Sequence, residues 1–297
     1  MSDQLKGIIL MALGCLSIPA VDSFAKVLSA DFSPVFVSFL RYLTAAAIVT
    51  PFAFAVSGKK IIPAKNRLIP HIMRTVFIIG AMTSYYVAIS TIELATAVAC
   101  FFIGPIIATI LSAFILKERL TWIKIVSLVV GFAGALVVAR PSGAVEPGIL
   151  FALLTGLLFG FYLVATRMAS GETPPLQSLT FQNLFGAALL VVPGILFFSM
   201  PSSDHLLLIF AMGLGSCISH ALSITAFRYA DASTLSPIVY AELVGAVLFG
   251  YVFFGEVPST SVWIGAALIV SAGFLVMFSS SKSAVSKNLT VLKQDQP

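Results

Sequence analysis

Three ionisable residues, Asp22, Arg41 and Glu242, lie inside long apolar runs. A charge at the centre of a membrane-spanning helix costs about 2.5–3.5 kcal/mol on insertion scales, so each marks a functional position by default. Asp22 and Lys26 share one helical face and can pair. Arg41 is predicted level with Asp22 on an antiparallel neighbour, close enough for a bidentate bond. Two readings stand for this group. It is an outer gate, or at Arg41 an anchor for a substrate carboxylate or phosphate; alternatively it is a structural ion pair locking the first two helices. Glu242 follows Pro237, whose ring removes a backbone hydrogen bond. Its carboxylate can carry a coupling proton or meet a cation; the plainer alternative is a neutral acid bonded to another helix. His220 can assist proton transfer or simply pack.

Aromatic residues supply the second kind of chemistry. Most of the 25 Phe are expected to face lipid tails. Tyr85, Tyr86, Tyr162 and Tyr240 are stronger candidates, because a phenol offers both a stacking face and a hydrogen bond. With Phe101 and Phe102 they would suit a flat ring: an aromatic amino acid, a flavin or a nucleobase. In the second half of the chain Gln182 or Asn183 takes the place of Arg41, counted back from Pro193 as Arg41 is from Pro51. Polar groups thus recur at one level while the charge does not, which suits recognition of one end of a solute.

The elements carrying these residues follow from composition. The 297 residues are 59% hydrophobic and 10% charged, with mean hydropathy +1.06. No water-facing surface can be built from this, which excludes a soluble enzyme. The continuous apolar runs also argue against a β-barrel, whose strands alternate. Segments long enough to span are 5–28, 34–56, 69–91, 94–116, 121–139, 147–168, 176–200, 205–227, 232–254 and 262–279. The first carries Asp22 and Lys26 and reads as a retained helix rather than a signal peptide. With the N-terminus in the cytoplasm, only Lys26 and Arg140 of the 17 Lys and Arg fall on the outer side, and Arg41 falls within a span. Both termini are therefore expected to be cytoplasmic, in the inner membrane. The charges do not cluster on a face, so no nucleic-acid partner is expected. Spacing gives no zinc or other metal site and no disulfide framework. No P-loop is present and no cofactor is expected.

The two halves repeat each other. Tyr86-Val-Ala-Ile-Ser-Thr-Ile-Glu93 aligns with Ile224-Thr-Ala-Phe-Arg-Tyr-Ala-Asp231, and the same offset brings Glu118 onto Glu256. Lys26 corresponds to Arg167. Five helices per copy insert the copies in opposite senses, an arrangement recurrent in secondary transporters with a midplane site. The expected fold is all-α: ten transmembrane helices as two inverted five-helix repeats, 1–140 and 141–279, around a central cavity, followed by a polar cytoplasmic tail, 280–297. Glu118 and Glu256, at hairpin turns, are assigned to structure. Gly156 and Gly160 have the GxxxG spacing that lets helices approach closely.

The hairpins Ile115-Leu-Lys-Glu118-Arg-Leu120 and Phe253-Phe-Gly-Glu256-Val-Pro258, each followed by a small-residue helix (Gly131-Phe-Ala-Gly134; Gly265-Ala-Ala), resemble the EamA-type drug/metabolite transporter superfamily. The likeness covers nearly the whole chain. Asp22-Ser-Phe-Ala-Lys26, Phe39-Leu-Arg41, Gly80-Ala-Met-Thr-Ser84 and Tyr240-Ala-Glu242-Leu243 are similar to bacterial metabolite importers, a subgroup including S-adenosylmethionine and riboflavin carriers. The resemblance implies a basket of two inverted four-helix groups, with the fifth and tenth helices outside. It also implies a carrier of a small organic metabolite working by alternating access, with protons as the candidate coupling ion. Alternatives are an exporter of amino acids or drugs on the same fold and a polytopic membrane enzyme. The latter lacks a catalytic constellation among His71, His205 and His220. Oligomeric state is left open.

Overall fold

The computed structural model describes residues 3–57, 62–65, 68–115, 122–139, 146–169, 173–226, 229, 241–272 and 274–275. An apolar chain in lipid must satisfy its backbone internally, and helices do so within each segment. The helices are α1 (Asp3–Asp31), α2 (Pro34–Ser57), α3 (Leu68–Ile89), α4 (Leu94–Phe101), α5 (Gly104–Ile115), α6 (Trp122–Ala139), α7 (Pro147–Ala169), α8 (Pro175–Leu196), α9 (Ser203–Ala226) and α10 (Ala241–Phe254). A shorter apolar helix, α11, covers Thr260–Ala272.

Among the described residues, seven segments are long and apolar enough to cross a bilayer: six single helices and the α4–α5 pair taken together. Three further apolar helices are shorter: Val129–Val138 within α6, α10 and α11. Each expected span therefore has an apolar helix, but the ten-span count is supported in full at seven places. For the ninth expected span, 232–254, residues 232–240 lie outside the described residues.

The fourth expected span is not continuous. Pro105 has no N–H to donate, and a residue preceding proline is pushed away from helical geometry. The chain accordingly leaves α4 at Phe102 and Ile103, where Ile103 N–H donates to the Cys100 carbonyl at 3.2 Å in a tightened last turn, and resumes as α5 at Gly104. Helix α7 crosses this break. A methyl on Gly156 would lie 3.0 Å from the Cys100 carbonyl oxygen, and one on Gly160 would lie 3.1 Å from that of Gly104. The GxxxG spacing thus allows α7 to pass the break backbone to backbone.

Helix packing comes in matched pairs. Helix α3 lies along α7 and α1 along α9, while α2 lies against α8 and α4 against α10. Exchanging the first five expected spans for the second five turns the first of these contacts into the second, and each of the last two into itself. The fifth and tenth spans, α6 and α11, meet through their small residues: a methyl on Gly134 would lie 2.8 Å from the Gly265 carbonyl oxygen. Outward side chains such as Val129, Phe132 and Ile264 are exposed, as lipid-facing positions are. The buried core runs between the halves and includes Phe36, Tyr86, Phe102, Met212 and Ile269.

Candidate substrate cavity

A cavity of about 330 Å³ opens between the halves. Helices α1, α2, α3 and α4 line it from one side and α7, α8, α9 and α10 from the other; among the described residues no lining side chain comes from α6 or α11. Helical periodicity explains the α1 wall, since Met11, Cys15, Ile18 and Asp22 follow one face. The buried polar residues Asp22, Arg41, Gln182, Asn183, Ser216 and Glu242 all line this space.

Arg41, 8% exposed, has the most telling surroundings. Its Nε and Nη2 donate to the Ser216 hydroxyl at 3.2 and 3.1 Å. Its guanidinium lies 5.7 Å from the ring centroid of Tyr86 and 5.9 Å from that of Tyr42. Nη1 is buried and makes no hydrogen bond. Asp22 shares the cavity, yet the two form no ion pair among the described residues, so the expected bidentate bond is absent. The reason is geometric: the side-on edge of the guanidinium is turned to α9 and Ser216 rather than to α1.

The expected Asp22–Lys26 pair is likewise absent. Lys26 lies outside the cavity; its Nζ donates to the Ile92 carbonyl oxygen at 2.7 Å and pairs with the Glu256 carboxylate. The α3–α4 and α10–α11 turns bring those oxygens to the end of α1, closer than a carboxylate one helical turn back. Glu256, read from sequence as a turn residue, thereby joins the two halves.

The aromatic wall combines Phe101, Phe159 and Tyr162. Phe101 and Phe159 have ring centroids 4.3 Å apart, and Phe159 stacks on Tyr162 at 5.5 Å. The guanidinium of Arg74 lies 5.6 Å from the Tyr162 ring centroid, and its Nη2 donates to Gln182 Oε1 at 2.9 Å. His220 lines the cavity and its Nδ1 lies 2.8 Å from the Ser216 carbonyl oxygen.

Of the residues singled out by sequence, Asp22, Arg41, Tyr85, Phe101, Tyr162, Gln182, Asn183, His220 and Glu242 line one cavity. Tyr86 is fully buried beside Arg41 rather than in the lining. Tyr240 lies outside the described residues, as do Glu118 and the expected tail. Sequence reasoning passed over Ser216, Cys15 and Phe159. A one-turn Ser216–His220 spacing on a polar stripe of α9 was the available signal for the first; nothing distinguished the others from ordinary apolar positions.

An all-helical membrane protein with a shared internal cavity between two matched halves is the architecture of a transporter. The chain belongs to the EamA-like transporter family, whose profile matches residues 5–140 and again 146–278. It is 27% identical over 293 residues to an S-adenosylmethionine uptake transporter of Rickettsia prowazekii, covering 97% of this chain and 99% of that protein. It is 25% identical over 299 residues to a riboflavin transporter of Vibrio cholerae, covering 96% and 97%. A solved crystal structure shares the fold, with TM-score 0.61 and 21% identity across 94% of this chain and 96% of the other.

Proposed function

We propose that this transporter is a secondary carrier that takes up a small organic metabolite with a flat ring across the inner membrane by alternating access. The observation that carries this is the cavity itself, lined by both halves of the chain. A site shared between repeats can be exposed to either side by rocking one half against the other. The Phe101–Phe159–Tyr162 wall suits a planar ring. The names of the relatives, for S-adenosylmethionine and riboflavin, point to compounds built on such rings. The repeats are inserted in opposite senses and both termini face the cytoplasm, as the Lys and Arg distribution favours. Asp22, Glu242 and His220 are the groups available for coupling to protons. Lys26, with Glu256, belongs to the outer closure.

The test is uptake into liposomes containing the purified protein, using labelled S-adenosylmethionine and riboflavin with and without an imposed pH gradient. Saturable accumulation of either compound supports the reading. Binding without movement, or outward flux alone, refutes it and favours an exporter or a receptor-like role. A reporter fused after Pro297 tests topology: it should be active only in the cytoplasm.

A further inference from the structure

Resting on that reading, we infer that the transported solute carries a carboxylate and a cationic centre on one head, as an α-amino acid does, and that Arg41 is the residue that selects the carboxylate. Three observations converge. The first is the open edge of Arg41. Ser216 occupies the Nε/Nη2 edge with a neutral hydroxyl, while Nη1 is buried with no acceptor. A buried guanidinium nitrogen left without a partner is costly, and a planar carboxylate matches the fork formed by Nη1 and the second N–H of Nη2. Tyr42 and Tyr86 hold the plane in place, so the fork is set before a ligand arrives.

The second is that no carboxylate among the described residues takes this role. Asp22 and Glu242 line the same cavity and are buried, yet neither forms an ion pair with a described residue. Both face the same space as Arg41. An ammonium or sulfonium placed by these acids and a carboxylate placed on Arg41 would satisfy all three groups at once. A neutral solute would leave all three without an opposite charge.

The third is the aromatic wall of Phe101, Phe159 and Tyr162, which takes the ring. Carboxylate, cation and ring together define an amino acid joined to a heteroaromatic group. Riboflavin, with neither carboxylate nor cation, does not meet the requirement.

The experiment measures both binding and uptake by the purified full-length protein, using S-adenosylmethionine, its decarboxylated analogue and riboflavin as probes. Binding is read as ligand-induced thermal stabilisation in detergent, uptake in liposomes. Losing a charge-assisted fork should weaken binding by roughly tenfold or more. The wild type is therefore expected to prefer S-adenosylmethionine to the decarboxylated analogue by at least that margin. Arg41→Gln should abolish the preference by lowering affinity for the carboxylated compound alone. Arg41→Lys, which keeps the charge but not the fork, should restore it in part and guards against a variant that fails to fold. Equal affinity of the wild type for both S-adenosyl compounds overturns the inference, as does an unchanged preference in Arg41→Gln or a preference for riboflavin. Arg41-dependent binding without uptake refutes the carrier and leaves the inference standing. Uptake indifferent to the carboxylate does the reverse, and no binding of any probe overturns both.

Discussion

Lys26 and Glu256 join the two halves of the transporter at the end of α1. The ammonium pairs with the carboxylate and donates to the Ile92 carbonyl at 2.7 Å, while Glu256 Oε2 accepts the Leu94 N–H at 2.9 Å. The Phe254 ring centroid lies 5.1 Å from the ammonium. Gly255, at φ 66°, makes the turn that aims Glu256 back at this knot, a conformation that L side chains adopt reluctantly. Three chain segments from both repeats therefore meet on two side chains, each about 15% exposed or less.

Separating the halves on that side must break this knot. Removing one partner of a fully buried pair costs about 3–5 kcal/mol, and slight exposure lowers this. Lys26→Met or Glu256→Gln is expected to reduce uptake several-fold and to speed labelling of Cys15, in the cavity wall, by an impermeant maleimide added from the outer side. The double variant Lys26→Met/Glu256→Gln strands no charge and should be less impaired than the sum of the two singles. Additive losses, with Cys15 labelled at the wild-type rate, would show that the pair does not hold the cavity shut.

Packing at the periphery makes a separate prediction. A methyl on Gly134 meets the Gly265 carbonyl at 2.8 Å and the Ile269 and Leu268 side chains at 2.9 Å. A carbonyl on a neighbouring helix cannot move aside alone, so Gly134→Leu should force α6 from α11. Overpacking of this kind costs about 1–3 kcal/mol. The melting temperature in detergent should fall while substrate affinity is kept, because no described residue of either helix lines the cavity. Loss of affinity at an unchanged melting temperature would contradict this division of labour.

How much of this was legible in the sequence depends on the range of the interaction. Spans were readable because twenty-odd apolar residues leave a chain few choices, and the repeat because charged residues recurred along with apolar ones. The cavity residues were readable because charge inside a span is rare. Pairing was not. Asp22–Lys26 is the local solution offered by helical spacing, whereas the actual partner of Lys26 is Glu256, brought in by tertiary packing. The break at Phe102 and Ile103 was signalled by Gly104-Pro105 but hidden by the apolar run around it. Ser216 was an unremarkable serine until α9 was placed across from Arg41.

The acids Asp22 and Glu242 face one cavity from α1 and α10 without a cationic partner among the described residues. Replacing either by its amide keeps the shape and one acceptor oxygen but removes the charge. Asp22→Asn and Glu242→Gln should each lower affinity for a cationic probe by roughly tenfold, the scale of one charge-assisted hydrogen bond. If one of them carries the coupling proton, its amide will also make uptake insensitive to an imposed pH gradient while binding persists. Direct binding measured beside gradient-driven uptake separates the two roles, and a variant unchanged in both has none.

The aromatic wall is tested by size and face rather than by charge. Phe159 sits between Phe101, at 4.3 Å, and Tyr162, at 5.5 Å, so its removal opens the middle of the stack. Stacking a base on an aromatic side chain contributes about 1–3 kcal/mol. Phe159→Ala should therefore weaken binding of a ring-bearing substrate by roughly tenfold or more, and Phe159→Tyr should retain most of it. Tyr162→Phe keeps the face and should bind nearly as well as the wild type, whereas Tyr162→Ala also removes the ring beside Arg74 and frees the group that holds Gln182. Tyr162→Ala is then expected to be more damaging than Phe159→Ala. Equal binding by Phe159→Ala and the wild type, measured by titration with the same ring-bearing probe, would mean that the ring lies elsewhere in the cavity.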